Sequence, residues 1–227
     1  MPLLTPPRID EAELLDESDA PRADVERSLR DLRRINRYLG GIGIYRRALA
    51  RLLVEGRAGA PLVLDIGAGS TDLVDAVADR DGIRPIALDF KIDHLLFDRQ
   101  RSRARRVVGD ARALPFRNDS ADVVTSAHFF HHFSPDENAT ILSESLRVAR
   151  VEVAVNDTRR HYAPLLFIQL IALLRLVGRI TRSDAPGSVR RGYTTEEARG
   201  IAARVPAARS AIITLFPFRF GILLWKR

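Results

Sequence analysis

The sequence contains no cysteine in its 227 residues. This absence excludes disulfide frameworks, cysteine-rich zinc sites and cysteine nucleophiles together, and it fits a reducing compartment. Lysine is also scarce, because only Lys91 and Lys226 are lysines among the 36 lysines and arginines. The formal net charge is +7, but so lopsided an arginine content is more typical of GC-rich coding than of nucleic-acid binding.

Aromatic residues are missing where arginine is densest. The segment from Arg99 to Arg106 holds five arginines and no aromatic side chain on which a base could stack. We therefore predict no nucleic-acid partner. The arginines are interpreted as a solvated helix face and its connection to the next strand.

Long apolar runs are missing too, since none reaches the ~18 residues expected of a transmembrane helix. The first twenty residues carry six acidic residues and lack a basic cluster followed by an apolar core, so we expect no secretory signal. Their composition predicts a flexible acidic leader over residues 1–24. We expect a cytoplasmic protein.

The remaining residues, 25–227, fit a single domain. Two helices are predicted within residues 25–55, and short apolar strands then alternate with helices. The predicted strands are Leu62–Ile66, Pro85–Asp89, Arg106–Val108, Ala121–Ser126 and Val151–Val155, with helices at Asp72–Arg80, Ile92–Arg101 and from the capping box at Ser134 to Ala149. This alternation predicts an α/β fold with a parallel sheet covered by helices on both faces.

The carboxyl-terminal part departs from this alternation. A nearly apolar helix is predicted over Pro164–Ile180, and a capped helix from Thr194 to Arg204. Ala208–Phe216 and Phe220–Trp225 are two predicted strands joined by a short turn, which makes an antiparallel hairpin. The sheet is therefore predicted to be mixed, with one antiparallel strand near an edge.

Three acidic residues stand at successive strand ends. In Val63-Leu64-Asp65-Ile66-Gly67-Ala68-Gly69 a strand ends in a glycine-rich turn, where the absence of Cβ atoms lets a ligand approach the backbone. Asp89 ends the next strand and can accept both hydroxyl hydrogens of a ribose. Asp110 follows the third strand and can bind an adenine amino group. Such a set suits a positively charged nucleoside such as a sulfonium.

The series VLDIGAGS, IALDF, VVGDARALPF and DVVTSAHFFHHF resembles the successive motifs of class I S-adenosylmethionine-dependent methyltransferases. It is most similar to the branch that includes the ubiquinone and menaquinone biosynthesis enzymes (methyltransferase type 11). The resemblance implies a Rossmann-like, seven-stranded, mostly parallel sheet whose last strand is antiparallel. It also implies S-adenosylmethionine as the cofactor, S-adenosylhomocysteine as its product, and no metal.

The resemblance also assigns roles to residues. The amino-acid end of the cofactor would be held by Asp65, Gly67, Ala68 and Gly69, the ribose by Asp89, and the adenine by Phe90, Asp110 and Ala111, with Ser126, Ala127 and His128 on the far side. One position departs from the family pattern, because its third glycine is Thr71 here. We interpret Thr71 or Ser70 as a cap of the following helix; the alternative is altered cofactor binding.

Candidate catalytic residues follow the fourth and fifth predicted strands. Transfer from a sulfonium needs a general base only if the acceptor loses a proton during attack. His131 is the first candidate for that base and His132 the second, because imidazole titrates near neutral pH. Asp157 either orients an acceptor or caps a polar turn. We predict no metal site here, since no carboxylate lies at ligand spacing.

The apolar helix Pro164–Ile180 bears on the acceptor. It lies in residues 158–192, interpreted as a lid or insert, and its apolar face is wider than one buried side requires. This face is consistent with four roles, namely a lid over a lipophilic acceptor, a membrane-surface helix, a dimer contact and a core helix. We therefore predict a monomeric or homodimeric methyltransferase acting on a small lipophilic acceptor that is quinone-, polyketide- or phenol-like.

Two alternatives stay open. A nicotinamide-dependent oxidoreductase would share the glycine turn and Asp89, but it does not account for Asp110 or the closing hairpin. A methyltransferase-like protein that binds a cofactor or partner without transferring a methyl group is the other. Its main support is Thr71.

Overall fold

One sheet of seven strands organises the chain in the computed structural model, which describes residues 4–11, 13–16, 20–54, 59–97, 99–207 and 209–226. The strands are β1 (Leu62–Ile66), β2 (Arg84–Asp89), β3 (Arg105–Val108), β4 (Ala121–Ala127), β5 (Ala149–Thr158), β6 (Arg209–Leu215) and β7 (Arg219–Trp225). Their order is β3-β2-β1-β4-β5-β7-β6. Strands β1 to β5 are parallel, and β7 pairs antiparallel with β5 and β6. The predicted fold class is confirmed.

Eight helices accompany the sheet within these described ranges. They are α1 (Arg22–Tyr38), α2 (Gly43–Val54), α3 (Asp72–Asp81), α4 (Ile92–Leu96), α5 (Pro135–Val148), α6 (Tyr162–Leu173), α7 (Arg179–Arg191) and α8 (Thr195–Ala202). Helix α5 begins at the capping box that the sequence predicts, with the Ser134 side chain accepting from the Glu137 N–H. The predicted helix Ile92–Arg101 is shorter, because α4 ends at Leu96 and a separate 3-10 turn spans Arg99–Arg101.

Apolar side chains on the two faces of the sheet form two cores. Helices α2, α3 and α4 cover the core that contains Val63 and Ala154. Helices α5 and α8 cover the core that contains Leu64 and Val155. Neighbouring residues fall into different cores because successive side chains of a strand point to opposite faces. All residues of the central strand β4 are buried, as expected for a parallel strand covered on both sides.

The predicted helix Pro164–Ile180 is only partly right, because it is broken into two helices. Helix α6 ends at Leu173, Arg175 adopts a left-handed backbone with φ 54°, and Gly178 is the N-cap of α7. The break is held from α1, where the buried carboxylate of Asp31 accepts the Gly178 N–H at 2.7 Å. Beyond Ile180 helix α7 is not among the predicted helices; it contains Pro186 in its interior, a residue that usually interrupts helices.

The described residues of the predicted leader make contacts with the domain, and the predicted flexibility of residues 1–24 stays a prediction. Arg8 donates to the carbonyl oxygens of Phe133 and Arg191. The N–H groups of Leu14 and Leu15 donate to Asp184 on α7 at 3.1 and 2.9 Å. Acidic, proline-rich composition favours disorder in an isolated segment, but here distant arginines and α7 supply partners.

Parts of several predictions lie outside the described residues. These parts are residues 1–3, 12 and 17–19 of the leader, residues 55–58 at the end of the second helix and in its turn, residue 98, and residue 208.

Candidate active site

A crevice of about 620 Å³ opens where the carboxyl ends of β1, β2 and β4 meet. Its volume lies in the range of about 300–1,000 Å³ that is typical of small-molecule sites. All but one of the expected cofactor residues line it, namely Asp65, Gly67, Ala68, Gly69, Asp89, Phe90, Asp110, Ala111, Ala127 and His128. Ser126 does not, because it is fully buried within β4. The next two residues, Ala127 and His128, reach the crevice instead.

The glycine-rich turn depends on left-handed backbone at three positions. Gly67 and Gly69 have φ of 64° and 49°, and a Cβ at Gly67 would lie 2.2 Å from the ring of Phe129. Thr71 has φ 63° without being glycine. Its hydroxyl donates to Asp75 at 2.7 Å and its side chain is fully buried.

The interpretation of Thr71 as a helix cap is therefore only partly right. It occupies the N-cap position of α3, but its side chain accepts no backbone N–H there. Ser70 instead donates to Asp72 at 3.0 Å. The Thr71 hydroxyl is engaged with α3, so it does not narrow the crevice.

The carboxylate of Asp89 is fixed at the end of β2. One oxygen accepts the Gly69 N–H at 2.8 Å, and the other accepts the Lys91 N–H at 2.9 Å. A carboxylate offers about four acceptor positions, so both oxygens can still accept ligand hydroxyls. Phe90 stands beside it with 76% of its surface exposed, which leaves its ring available for stacking.

Asp65 lies at the end of β1 and is held by two hydroxyl groups. The Tyr45 hydroxyl donates to it at 2.5 Å, and the Thr125 hydroxyl donates at 3.0 Å. Burial outweighs these hydrogen bonds and raises the pKa of Asp65 to about 7. An incoming cation would favour the ionised form.

Asp110 already has a cationic partner. Arg112 contacts its carboxylate at 2.8 Å and also reaches Glu137 at 2.9 Å. The hydrogen bonds from Arg112 lower the pKa of Asp110. Asp110 is half-exposed, so Arg112 can move aside or share the carboxylate with a ligand.

His131 and Asp157 form a buried pair beside the crevice. Asp157 accepts the His131 backbone N–H at 2.9 Å and lies 2.9 Å from the ring Nδ1. Burial opposes ionisation of Asp157, but the facing His131 holds the pKa of that carboxyl well below its usual value. With Nδ1 engaged by Asp157, the other ring nitrogen of His131, Nε2, faces Glu13.

Glu13 is a site residue that the sequence did not reveal. One of its oxygens lies 3.4 Å from Nε2 of His131 and the other 3.8 Å from Nε2 of His132. Arg191 pairs with the same carboxylate, and Ser188 donates to it. No local pattern marks Glu13, because its partners lie more than a hundred positions away.

The fold brings a carboxylate within ligand distance of these histidines, although no carboxylate lies at ligand spacing from them in the sequence. Glu13, His131 and His132 offer ligand atoms within 4.8 Å of one another. Arg191 already neutralises the Glu13 carboxylate, however, which weakens its attraction for a divalent cation.

A second, smaller cavity of about 100 Å³ adjoins the crevice. Its walls are mostly apolar and come from α1, α6, α7 and the turn before β7; they include Leu32, Ile35, Phe167, Ile168, Val189 and Phe218. Leu32, His128 and Glu13 line both spaces. A ligand in the cavity would therefore lie next to one in the crevice.

The face of α6 that points away from this cavity is exposed. Leu166, Leu170 and Leu173 are exposed, and so are Leu174 and Leu176 after the helix ends. Within the described ranges, none of the helices is long and apolar enough to cross a membrane.

The strand order and the position of the crevice define the class I methyltransferase fold. Residues 63–152 match a family model described as a methyltransferase domain. This match covers less than half of the chain, and it agrees with the resemblance drawn from the motifs.

Among curated proteins, a demethylmenaquinone methyltransferase of Renibacterium salmoninarum is 30% identical over 146 residues, which are 63% of this chain. The match spans only 56% of that relative's length. Its name agrees with the branch that the motifs indicated.

Solved structures share the fold at low sequence identity. A SAM-dependent methyltransferase from Aquifex aeolicus has a TM-score of 0.59 and 16% identity, covering 89% of this chain and 98% of its own. The magnesium protoporphyrin IX methyltransferase of Synechocystis with bound SAH has a TM-score of 0.54 and 13% identity, covering 91% and 84%.

The burial of Asp65 predicts a pH dependence of stability. Its pKa rises from 3.8 to about 7 on folding, so the unfolded chain loses this proton first as the pH rises. The contribution of Asp65 to the free energy of unfolding should therefore fall between about pH 4 and about pH 7. In urea unfolding of the unliganded protein, Asp65→Asn should gain stability relative to wild type across this window and level off above it. The exposed Asp93 provides the control, and Asp93→Asn should show no such trend. Identical trends for both variants would contradict the assignment.

Proposed function

We propose that the protein transfers a methyl group from S-adenosylmethionine to a small lipophilic acceptor. The observation that carries this proposal is the crevice, where Asp65, Asp89 and Phe90 meet around a glycine-rich turn at adjoining strand ends. Strand-end crevices of this kind bind nucleotides in open α/β sheets. A family match over residues 63–152 supports the chemistry.

The crevice offers a group for each part of the cofactor. Asp65 would pair with the ammonium of the methionine moiety, and the turn at Gly67 and Gly69 would let the backbone approach it. Asp89 would accept the ribose hydroxyls. Phe90 and Ala111 would flank the adenine, with Asp110 accepting from its amino group.

The apolar cavity supports a lipophilic acceptor. It joins the crevice at Leu32 and His128, so an acceptor seated there would lie beside the bound donor. Quinone-, polyketide- and phenol-like compounds fit its apolar walls, and the distant relative is named for demethylmenaquinone. The transfer is an in-line displacement, in which the acceptor attacks the methyl carbon and the sulfonium sulfur keeps the electron pair of the broken bond.

His131 would act as general base where the acceptor is a phenol or quinol. Asp157 fixes the ring through Nδ1, and Nε2 would take the acceptor proton once the acceptor replaces its contact with Glu13. Asp157 also stabilises the imidazolium that results. His132, which is more exposed and lies 3.8 Å from the second oxygen of Glu13, is the second candidate.

The uncovered leucines of α6 suit peripheral contact with a membrane, while the inner face of the helix forms part of the acceptor cavity. A cytoplasmic enzyme working at a membrane surface could then receive a lipophilic acceptor directly. The protein would act as a monomer or homodimer without nucleic acid.

The structure weakens both alternatives. A nicotinamide-binding sheet of the common doubly wound type has strand order 3-2-1-4-5-6, without an antiparallel strand between its fifth and last strands. A non-catalytic role rested on Thr71, whose hydroxyl is engaged with Asp75 instead of the crevice.

Replacing Asp89 tests the cofactor site. Asp89→Ala should weaken S-adenosylmethionine binding by about 1–3 kcal/mol, because ribose hydroxyls and two backbone N–H groups lose their acceptor. Calorimetry on the full chain measures this, with Asp93→Ala on the exposed face of α4 as control. An unchanged affinity would place the ribose elsewhere. Wild-type protein that binds NAD but not S-adenosylmethionine would overturn the proposed function.

Replacing His131 tests the proposed base. His131→Asn should slow methyl transfer about 10²–10⁴-fold, because a positioned base contributes on that scale. The rate is followed as S-adenosylhomocysteine released with a panel of phenols and quinols. Cofactor affinity should stay unchanged, and Asp157→Asn should act similarly by misorienting the ring. A larger loss for His132→Asn than for His131→Asn would transfer the role to His132.

Vesicle flotation tests the membrane contact. The triple variant Leu170→Ser, Leu173→Ser and Leu174→Ser should lose binding to vesicles that the wild type binds, because less apolar area is buried. Val108→Ser, which alters an exposed apolar residue on the edge strand β3, should float like wild type. Equal flotation of all three proteins would remove α6 from the contact.

A further inference from the structure

A buried guanidinium borders the acceptor cavity. Arg219, the first residue of β7, is 2% exposed and lines the cavity. Its Nε donates to the carbonyl oxygen of Leu39. Its Nη1 is buried and has no hydrogen-bond partner among the described residues.

This charge lacks a counter-ion. In the described part of the chain, no carboxylate lies within ion-pair distance of Arg219. Asp157 is the nearest acid to act on it electrostatically, but that carboxylate is engaged by His131 and by the Thr158 N–H. Burial lowers the pKa of Arg219 to about 10, so the group is still charged at neutral pH. A buried charge without a partner destabilises the fold. A bound anion would supply that partner.

His128 supplies a second polar atom with no partner at the same cavity. Its Nε2 is buried and unbonded within the described residues, and the ring lines the cavity beside Arg219. Burial lowers the pKa of His128 well below its usual value, so the ring is neutral. A neutral imidazole with Nε2 protonated can donate to an oxygen.

The size of the cavity limits the ligand. It measures about 100 Å³, and an apolar cavity of about 150 Å³ is known to hold a benzene ring. Because this cavity is smaller, it can enclose only part of a six-membered ring. Larger ligands must extend into the crevice past Leu32.

We propose that Arg219 and His128 form an oxyanion subsite, which binds a ligand with a ring-sized apolar body and one anionic oxygen, as in a phenolate, an enolate or a carboxylate. The guanidinium holds the oxygen in its ionised form, and the walls of the cavity contact the part of the apolar body next to that oxygen. That this ligand is the methyl acceptor rests on the proposed function. An acceptor held as its anion needs less help from His131.

Benzoate and its neutral isostere benzamide test the subsite by calorimetry on the full chain. Wild-type protein should bind benzoate about tenfold or more tightly than benzamide, because a charge-assisted hydrogen bond is replaced by a neutral one. Arg219→Gln should abolish that preference. Arg219→Lys should retain part of it, since lysine keeps the charge but loses the planar fork. Arg105→Gln removes an exposed arginine from β3 and should behave as wild type.

Three outcomes would overturn the subsite. These are equal affinities of wild type for the two compounds, no benzoate binding at any soluble concentration, or an unchanged preference in folded Arg219→Gln. If Arg219→Gln does not fold, the wild-type contrast and Arg219→Lys decide. S-adenosylmethionine titrations of the same samples keep the two proposals separate. Failure of the wild-type protein to bind S-adenosylmethionine would count against methyl transfer. The difference between benzoate and benzamide affinity tests only the Arg219 subsite.

Discussion

A carboxylate loses its hydration when it is buried, and Asp65 recovers only part of it through the hydroxyls of Tyr45 and Thr125. Those two hydrogen bonds join α2, β1 and β4 at one point. The same burial brings the pKa of Asp65 to about 7 and leaves a site that a cation would complete. The rest of the crevice is arranged around this incompletely neutralised group, with Asp89 fixed by the turn that follows it.

The candidate site combines a polar crevice with an adjoining, mostly apolar cavity. The crevice is lined by acids and glycines at strand ends. The adjoining cavity is mostly apolar, but Glu13 and Asp184 also line it, and Arg219 and His128 each have one polar atom there without a partner among the described residues. A polar donor and an apolar acceptor can therefore lie side by side.

Features that depend on neighbouring residues in the sequence were predicted correctly, whereas features that depend on distant contacts were not. Buried strands such as Leu62–Ile66 are readable because their apolar runs are local, and the capping box at Ser134 is readable for the same reason. The helix predicted over Pro164–Ile180 was only partly right because Asp31, far away on α1, holds the break at Gly178. No sequence pattern identifies Glu13 as a site residue, because Arg191 and the histidines contact it only in the folded chain.

The sequence by itself determined the alternation of strands and helices, the glycine turn at Gly67, and the acids Asp65, Asp89 and Asp110 at strand ends. Each of these depends on local periodicity or on a motif confined to a few positions. Only the tertiary structure decided that the amino-terminal segment packs on α7, that His131 pairs with Asp157, and that Arg219 borders the cavity unpaired. The physical reason is that the pairing of buried charges is settled by neighbours brought together across the fold, which no local pattern records.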